Sequence, residues 1–175
     1  MSVKIPPHFK LLFSAEQIEK RVSELASEIS AAYEGKELHI ICVLKGATMF
    51  HADLTRKLTV PVTYDFLSVS SYKGTESSGV VKLVKDLDED IESRHVLVLE
   101  DIIDTGLTLN YIERNLQTRK VASLATASFL DRPDRRKVEL KLDYVGFVIP
   151  DCYVVGYGLD CEHKYRQFKD IYAIN

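Results

Sequence analysis

The chain has 175 residues, 46% of them hydrophobic and 28% charged, and carries a formal net charge of −3 with an isoelectric point near 6.0. That is the makeup of one globular domain with one core, burying roughly 70% of the unfolded chain's surface. It excludes a protein that coats polyanions, because nothing in the overall charge draws nucleic acid or an acidic membrane, and no window approaches the ~20 apolar residues of a membrane span.

The N-terminus MSVKIPPHFK lacks the long apolar centre of a secretory signal, so a cytoplasmic protein is expected. Ser14 and Gln17 fit an S-x-x-Q capping box, and Ile18, Val22, Leu25 and Ile29 recur at helical spacing, which predicts an amphipathic helix ending near Gly35. LHIICVL (38–44) is a short, continuous apolar run, as in strands covered on both faces. Lys45-Gly46 turns it into ATMFHADLTRKL, which has helical periodicity and stops before Pro61.

VTYDFLSVSSY (62–72) and VVKLV (80–84) are β-branched-rich and bracket the polar KGTESSG, predicting a hairpin with a mobile loop. The acidic DLDEDIE is expected to be a solvated turn. HVLVL then begins a strand that runs into Glu100, Asp101 and Asp104, followed by a helix. VASLATASFL, YVGFVI, YVVGYG and IYAI supply further strands, separated by DRPDRR, PD and LDCEHKYRQF. The expectation is an α/β fold with a mostly parallel central sheet flanked by helices, in one domain spanning 1–175, with a small cap from the chain ends at about 1–13 and 150–175. Cys42, Cys152 and Cys161 are odd in number and include no C-x-x-C pair, so they read as reduced thiols rather than a disulfide framework or thiolate metal site.

The chemistry is concentrated in VLVLEDIIDTGLTL. Ligands of an open parallel sheet bind beyond the carboxyl ends of its strands, and DTGLT places hydroxyls and a glycine where a helix begins. Several backbone N–H groups, with Thr105 and Thr108, can therefore converge on a phosphate. The chain has no G-x-x-x-x-G-K-[ST]; GYGLDC at Gly156 lacks the third glycine of a dinucleotide fingerprint, and Asp101 and Asp104 are too far apart for D-x-D. Carboxylates beside a phosphate must accept from neutral hydroxyls, hold a cation or act on a proton. A sugar phosphate with magnesium meets all three conditions; a plain helix cap, or pairing of Glu100-Asp101 with surface lysines, is the alternative.

This stretch resembles the phosphoribosyl-diphosphate-binding motif of type I phosphoribosyltransferases. LKG at Leu44, SSY at Ser70, LDRP at Leu130 and VGFVIPDCYVVGYGLD…YRQF from Val145 to Phe168 are similar to the hypoxanthine (hypoxanthine-guanine) branch. The resemblance implies that fold, and transfer of 5-phosphoribosyl from phosphoribosyl diphosphate to N9 of a 6-oxopurine with magnesium, giving IMP or GMP in purine salvage. It further implies a homodimer or homotetramer with no nucleic-acid or membrane partner.

Carried onto this chain, the resemblance implies that Glu100 and Asp101 meet the ribose hydroxyls and magnesium, that Asp104 is the base at purine N7, and that Thr105, Gly106, Leu107 and Thr108 wrap the 5′-phosphate. Leu44, Lys45 and Gly46 would form a pyrophosphate turn, often with a cis Leu-Lys peptide. Ser71 and Tyr72 would be a loop-tip pair closing over the reacting centre, and Arg166 would hold pyrophosphate. Tyr153 would stack on the purine, Val154 would read its edge through the backbone, and Asp160 would bind a second magnesium beside the purine. From alternation alone, Tyr153 and Val154 are equally well core strand residues. Arg132 stands where the family usually has the lysine that donates to the 6-oxo group, and Leu107 where some members carry a lysine. Two rival functions remain: transfer to another base such as xanthine, or a non-catalytic regulator binding RNA, for which RPDRRK (132–137) is the only dense basic cluster.

Overall fold

The apolar run Leu38–Leu44 forms a central strand whose side chains divide between two cores. In the computed structural model, which describes residues 5–71 and 81–174, the elements are β1 (Phe9–Phe13), α1 (Ala15–Ala32), β2 (Leu38–Leu44), α2 (Thr48–Thr55), β3 (Val62–Ser71), β4 (Val81–Lys85), β5 (His95–Ile103), α3 (Leu107–Gln117), β6 (Ser123–Asp131), a 3-10 turn (Pro133–Arg135), β7 (Tyr144–Val148), β8 (Tyr153–Val155) and β9 (Ile171–Ile174). Among the described residues, six strands form a sheet in the order β4-β3-β2-β5-β6-β7. Its pairings are parallel except for β3 with β4.

Period-two alternation sorts the sheet's faces. Leu38 and Ile40 of β2, with Leu97 and Leu99 of β5, pack against Ile18, Val22, Leu25 and Ile29 of α1 and Phe50 and Leu54 of α2. Ile41 and Val43, with Val96 and Val98, face the other way onto Leu109, Ile112 and Leu116 of α3. Both faces are covered, which is why β2, His39 apart, and the part of β5 up to Leu99 read as nearly continuous apolar runs. Phe129 sits at the centre of the first core, 1% exposed, with ring centroids 5.1 Å from Phe50, 5.6 Å from Phe147 and 4.8 Å from Tyr157.

The capping box is formed: Ser14 Oγ accepts from Gln17 N at 3.4 Å, and Ser14 N donates to Gln17 Oε1 at 2.9 Å. Ala15 N also donates to Asp170 Oδ1 at 2.8 Å, which ties the start of α1 to the C-terminal segment. That segment belongs to a second, antiparallel sheet, β1-β9-β8, whose own small core is built on Val155, Phe168 and Tyr172. The sequence reading assigned no strand to FKLLF. Its exposure runs intermediate, exposed, exposed, intermediate, intermediate, so it carries no alternation to detect.

The acidic segment after β4 is the solvated turn expected, with Asp86, Asp88, Glu89, Asp90 and Glu92 exposed, and it is anchored to the sheet. Ile91 within it is fully buried, and the buried Asp65 of β3 accepts N–H bonds from Asp88 at 2.6 Å and Glu89 at 3.0 Å. Burial works against ionising Asp65, but the N–H groups of Phe66, Glu89 and Asp88, aided by Lys85, outweigh it and hold its carboxyl below the ordinary range. At the opposite edge of the sheet, Arg21 of α1 donates to the carbonyls of Gly146 at 3.0 Å and Val145 at 2.8 Å. The hairpin of β3 and β4 is present; Tyr72 and KGTESSG, which would join its strands, lie outside the described residues. Cys42, Cys152 and Cys161 are unpaired, and no helix among the described residues is long and apolar enough to cross a membrane.

Truncating Phe129 to alanine should cost roughly 3–5 kcal/mol, while Ser14→Ala should cost about 0.5–2 kcal/mol through the lost cap. Urea unfolding followed by circular dichroism measures both, and a Phe129→Ala midpoint no lower than that of Ser14→Ala would contradict the packing described.

Candidate active site

Strand β5 outlasts its pairing with β2. The two run in register from Leu38 beside His95 to Cys42 beside Leu99, whereas β5 stays paired with β6 as far as Ile103 beside Asp131. The chain leaves β2 toward β3 on one side, and β5 leads to β6 on the other. This is the switch point at which an open parallel sheet binds ligands. The residues freed there are Glu100, Asp101, Ile102 and Ile103.

A cleft of about 430 Å³ opens at this point, lined by Val43, Leu44, Val69, Val81 and the continuous stretch Glu100 to Leu109. Gly106 supplies the bend from strand to helix with φ +79°, and α3 begins behind it without a side-chain cap. Leu107 N donates to Thr105 Oγ1 at 3.4 Å; the other N–H groups of the first turn remain available to an anion, with Thr108 beside them. The loop is braced from outside by Lys137 N donating to Thr105 O at 2.9 Å. The positive φ favours glycine here, and a Cβ at Gly106 would also press on the side chains of Leu140, Arg136 and Val138, which would have to shift.

A second hollow of about 250 Å³ adjoins the first, lined by Asp101, Ile102, Asp104, Arg132, Arg135, Tyr153, Val154, Leu159 and Asp160. Asp101, Ile102 and Asp104 line both spaces. Tyr153 leaves its ring 54% exposed while its hydroxyl donates to Asp160 O at 3.1 Å; Val154 behind it is buried. Both residues line the hollow, Tyr153 with an exposed side chain and Val154 with its side chain in the core.

The electrostatics are uneven. Glu100 is 6% exposed, and burial, then the neighbouring Asp101 charge, pushes its carboxyl well above the ordinary range. Burial likewise lifts Asp101 to about 6, against the N–H of Ile102 at 2.8 Å and the charge of Arg166, while Asp160 adds to the rise. Neither carboxylate caps α3. The ligand-free site accordingly resists carrying both negative charges, because its own cations do not balance them. Arg166 is engaged elsewhere, with Nη2 2.5 Å from Asp160 Oδ1 and Nη1 donating to Gly158 O at 2.6 Å.

These donors fit magnesium. Asp101 and Asp160 sense one another's charge and offer only hard oxygen ligands. Among the described residues no three His, Cys, Asp or Glu side chains converge as a complete cage; magnesium takes one or two carboxylates and completes its shell with water and substrate phosphates.

The Leu44-Lys45 peptide is cis, and the turn it opens is threaded between β5 and the C-terminal segment. A Cβ at Gly46 would fall 1.4 Å from Asp101 Oδ2, and one at Gly158 would fall 2.0 Å from Gly46 O. Two glycines thus let carboxylate, turn and cap stack with backbone in contact. Lys45 is exposed at its tip. Ser71 ends β3 beside Val81, and Tyr72 lies outside the described residues.

Arg132 is buried, 4% exposed, and lies between two carboxylates: Nε is 3.2 Å from Asp104 Oδ1 and Nη1 is 3.5 Å from Asp151 Oδ1. Asp151 also receives Arg135 Nε at 2.6 Å. The Arg132–Asp104 contact is close but misaligned, because Arg132 Nε and Asp104 Oδ1 are both buried without a hydrogen bond. Sequence reasoning missed Arg135, Asp151 and Leu159. Arg135 follows Arg132 by three residues within a single 3-10 turn, which was the available signal; nothing marked Asp151.

Raised carboxyl pKa values carry a sign. The folded state holds protons that the unfolded chain has already released, so the ligand-free protein should lose stability as pH rises from the ordinary carboxylate range through about 6. Asp101→Asn and Glu100→Gln should each melt higher than wild type at about pH 8, with a flatter pH dependence. Differential scanning calorimetry across that range tests this, and a lower melting temperature for both variants would refute the charge imbalance.

A family model described as phosphoribosyl transferase domain matches residues 10–163. The hypoxanthine-guanine phosphoribosyltransferase of Mycobacterium avium is 47% identical over 168 residues, 92% of this chain and 83% of the relative. That of Bacillus subtilis (strain 168) is 47% identical over 158 residues, 90% and 88% of the two chains. Among solved structures, a hypoxanthine-guanine phosphoribosyltransferase from Bacillus anthracis, with HEPES in its active site, superposes with a TM-score of 0.91 at 47% identity, covering 95% of this chain and 98% of that one. Hypoxanthine phosphoribosyltransferase from Trypanosoma cruzi, in complex with the product IMP, gives 0.92 at 42% identity, covering 99% and 98%.

Proposed function

The chain belongs to the phosphoribosyl transferase family, and we propose that it transfers the 5-phosphoribosyl group of phosphoribosyl diphosphate to N9 of hypoxanthine and guanine, giving IMP or GMP and diphosphate in purine salvage. The observation that carries this reading is the pair of adjoining hollows with one wall in common, Asp101-Ile102-Asp104. A loop of free N–H groups and hydroxyls lies on one side of that wall. A buried cation and an exposed aromatic ring lie on the other. A sugar phosphate and a flat oxo-heterocycle fit these two spaces and meet at the wall.

In the reaction the bond from C1′ to the diphosphate oxygen breaks as N9 bonds to C1′, and positive charge builds on the ribose ring. Thr105 to Thr108 hold the 5′-phosphate through backbone N–H groups and hydroxyls, each such bond to a charged group being worth about 1.5–3 kcal/mol. No lysine at position 107 is required. Glu100 and Asp101 accept from the ribose hydroxyls. In this reading Lys45 and Arg166 supply positive charge to the leaving diphosphate, Arg166 by exchanging its contact with Asp160, and the turn at Leu44 to Gly46 adds its backbone. Glu100 and Asp101 would hold one magnesium and Asp160 a second, which together would supply positive charge to offset both the carboxylates and the departing diphosphate.

The purine lies against the Tyr153 ring with its edge along Val154. Its 6-oxo oxygen accepts from Arg132, a permanent cation in place of the expected lysine. Its N7 proton passes to Asp104. The unfilled donor on Arg132 and the unfilled acceptor on Asp104 match the side-by-side acceptor and donor of a 6-oxopurine protonated at N7. General-base assistance of this kind typically contributes about 10²–10⁴-fold.

The regulator reading loses its basic patch, since Arg132, Arg135 and Arg136 are each paired with a carboxylate, Asp104, Asp151 and Asp131 in turn. Cytoplasmic residence belongs to the same proposal and is supported by three unpaired cysteines. Assembly as a homodimer or homotetramer rests on the family likeness, and sedimentation equilibrium tests it.

Steady-state assays with phosphoribosyl diphosphate, magnesium and each of hypoxanthine, guanine and xanthine test the activity; absence of diphosphate release with all three overturns it. Asp104→Asn should lower kcat at least about tenfold with little change in KM for phosphoribosyl diphosphate, and near-wild-type kcat would remove Asp104 from the base role. Chelation should abolish turnover and added magnesium restore it; full activity in chelator would eliminate the metal.

A further inference from the structure

Resting on the reading above, we propose that Asp151 is a positioning residue that sets the aim of Arg132 at the purine, and so tunes affinity for the 6-oxo base without touching it.

The geometry begins with a competition. Arg132 presents Nε to Asp104 Oδ1 at 3.2 Å and Nη1 to Asp151 Oδ1 at 3.5 Å. A guanidinium drawn by one carboxylate alone would swing into a well-aligned pair with it. Here the pull of Asp151 at the far end opposes the pull of Asp104, and the result is visible: the contact with Asp104 is close yet both facing atoms stay without a hydrogen bond. Those two unsatisfied atoms are the groups the purine edge requires. Asp151 therefore keeps the cation from being quenched by the base.

Asp151 is suited to this role by its place in the chain. It lies in the short segment between β7 and β8, where the backbone passes from the large sheet to the small one. Ile149 N there is bonded to Asp131 O at 2.8 Å, and Cys152 N to Pro150 O at 2.8 Å. Arg135 Nε holds the same Asp151 oxygen at 2.6 Å from the solvent side. The carboxylate is thus held through its Oδ1, shared between two arginines, while remaining half exposed, and Asp151 is absent from the lining of the purine hollow.

The arrangement is specific to arginine. A lysine ammonium is a single point and cannot offer separate ends to two carboxylates, whereas the planar guanidinium can. Position 151 should matter in this chain because position 132 is arginine.

The test is a double-mutant cycle at positions 151 and 132, read in two ways: KM values in turnover, and the dissociation constant of IMP by calorimetry, which needs no turnover. Asp151→Asn and Asp151→Ala should each raise KM for hypoxanthine and weaken IMP about fivefold or more, while KM for phosphoribosyl diphosphate stays within about twofold. In an Arg132→Ala background, the same changes at 151 should have no further effect on IMP beyond about twofold. A purely structural role for Asp151 would persist in that background. The proposal is overturned by wild-type affinity for hypoxanthine and IMP in both Asp151 variants, or by an undiminished effect when Arg132 is already alanine. Failure of the underlying functional reading is separate, because it would show as wild-type protein that neither turns over a 6-oxopurine nor binds IMP.

Discussion

The constraint on which this molecule depends is the burial of two adjacent carboxylates at the end of its central strand. Glu100 and Asp101 sit where β5 runs on past β2, and burial holds both above their ordinary pKa. A fold selected for stability alone would place apolar side chains there, as it does in the residues just before them. In the function proposed above, that charge is what accepts the sugar hydroxyls and a cation. The surrounding backbone has been thinned to make room, with Gly46 against Asp101 and Gly158 against Gly46. The turn, the strand end and the cap are thus one packed unit, and a methyl group at either glycine would disturb all three.

The sheet and the phosphate-facing loop were legible in the sequence because each has a local cause. Leu38–Leu44 and His95–Leu99 are nearly continuous apolar runs since both faces are covered, and Ser14 with Gln17 forms the box their spacing implies. Gly106 at the head of α3 is the bend that DTGLT suggested. What escaped notice is what depends on distant partners. FKLLF has no alternation and becomes a strand only because β9 is there to pair with it. The acidic run after β4 is solvated as its charges imply, but nothing local shows that Asp65 receives its N–H groups. Asp151 and Arg135 were unremarkable as residues, and their significance comes from a chain of alternating charges assembled from β6, the turn after it and the crossing into β8.

Charge placement follows one rule in two forms. Around the purine hollow, Arg135, Asp151, Arg132 and Asp104 alternate in sign, so each group is restrained by its neighbours and the innermost pair is left imperfectly bonded. In the larger cleft no such alternation exists among the described residues. Under the function proposed above, the first arrangement suits selection of a neutral heterocycle by hydrogen-bond pattern, and the second a polyanion together with its cation. One continuous stretch of β5 serves both because successive residues of a strand end address different sides.

The contact of Arg21 with β7 bears on how the protein behaves at high concentration. A parallel sheet ends in strands whose outer N–H and C=O groups invite pairing with another chain. Here the guanidinium of Arg21 occupies the carbonyls of Gly146 and Val145, so a helix from the same chain takes the place an incoming strand would need. At the other border, β4 carries Lys82 and Lys85, and its pairing with β3 contains a register irregularity between Ser68 and Val69. Both borders are thereby made poor templates for strand addition, and the sheet is discouraged from growing into fibrils.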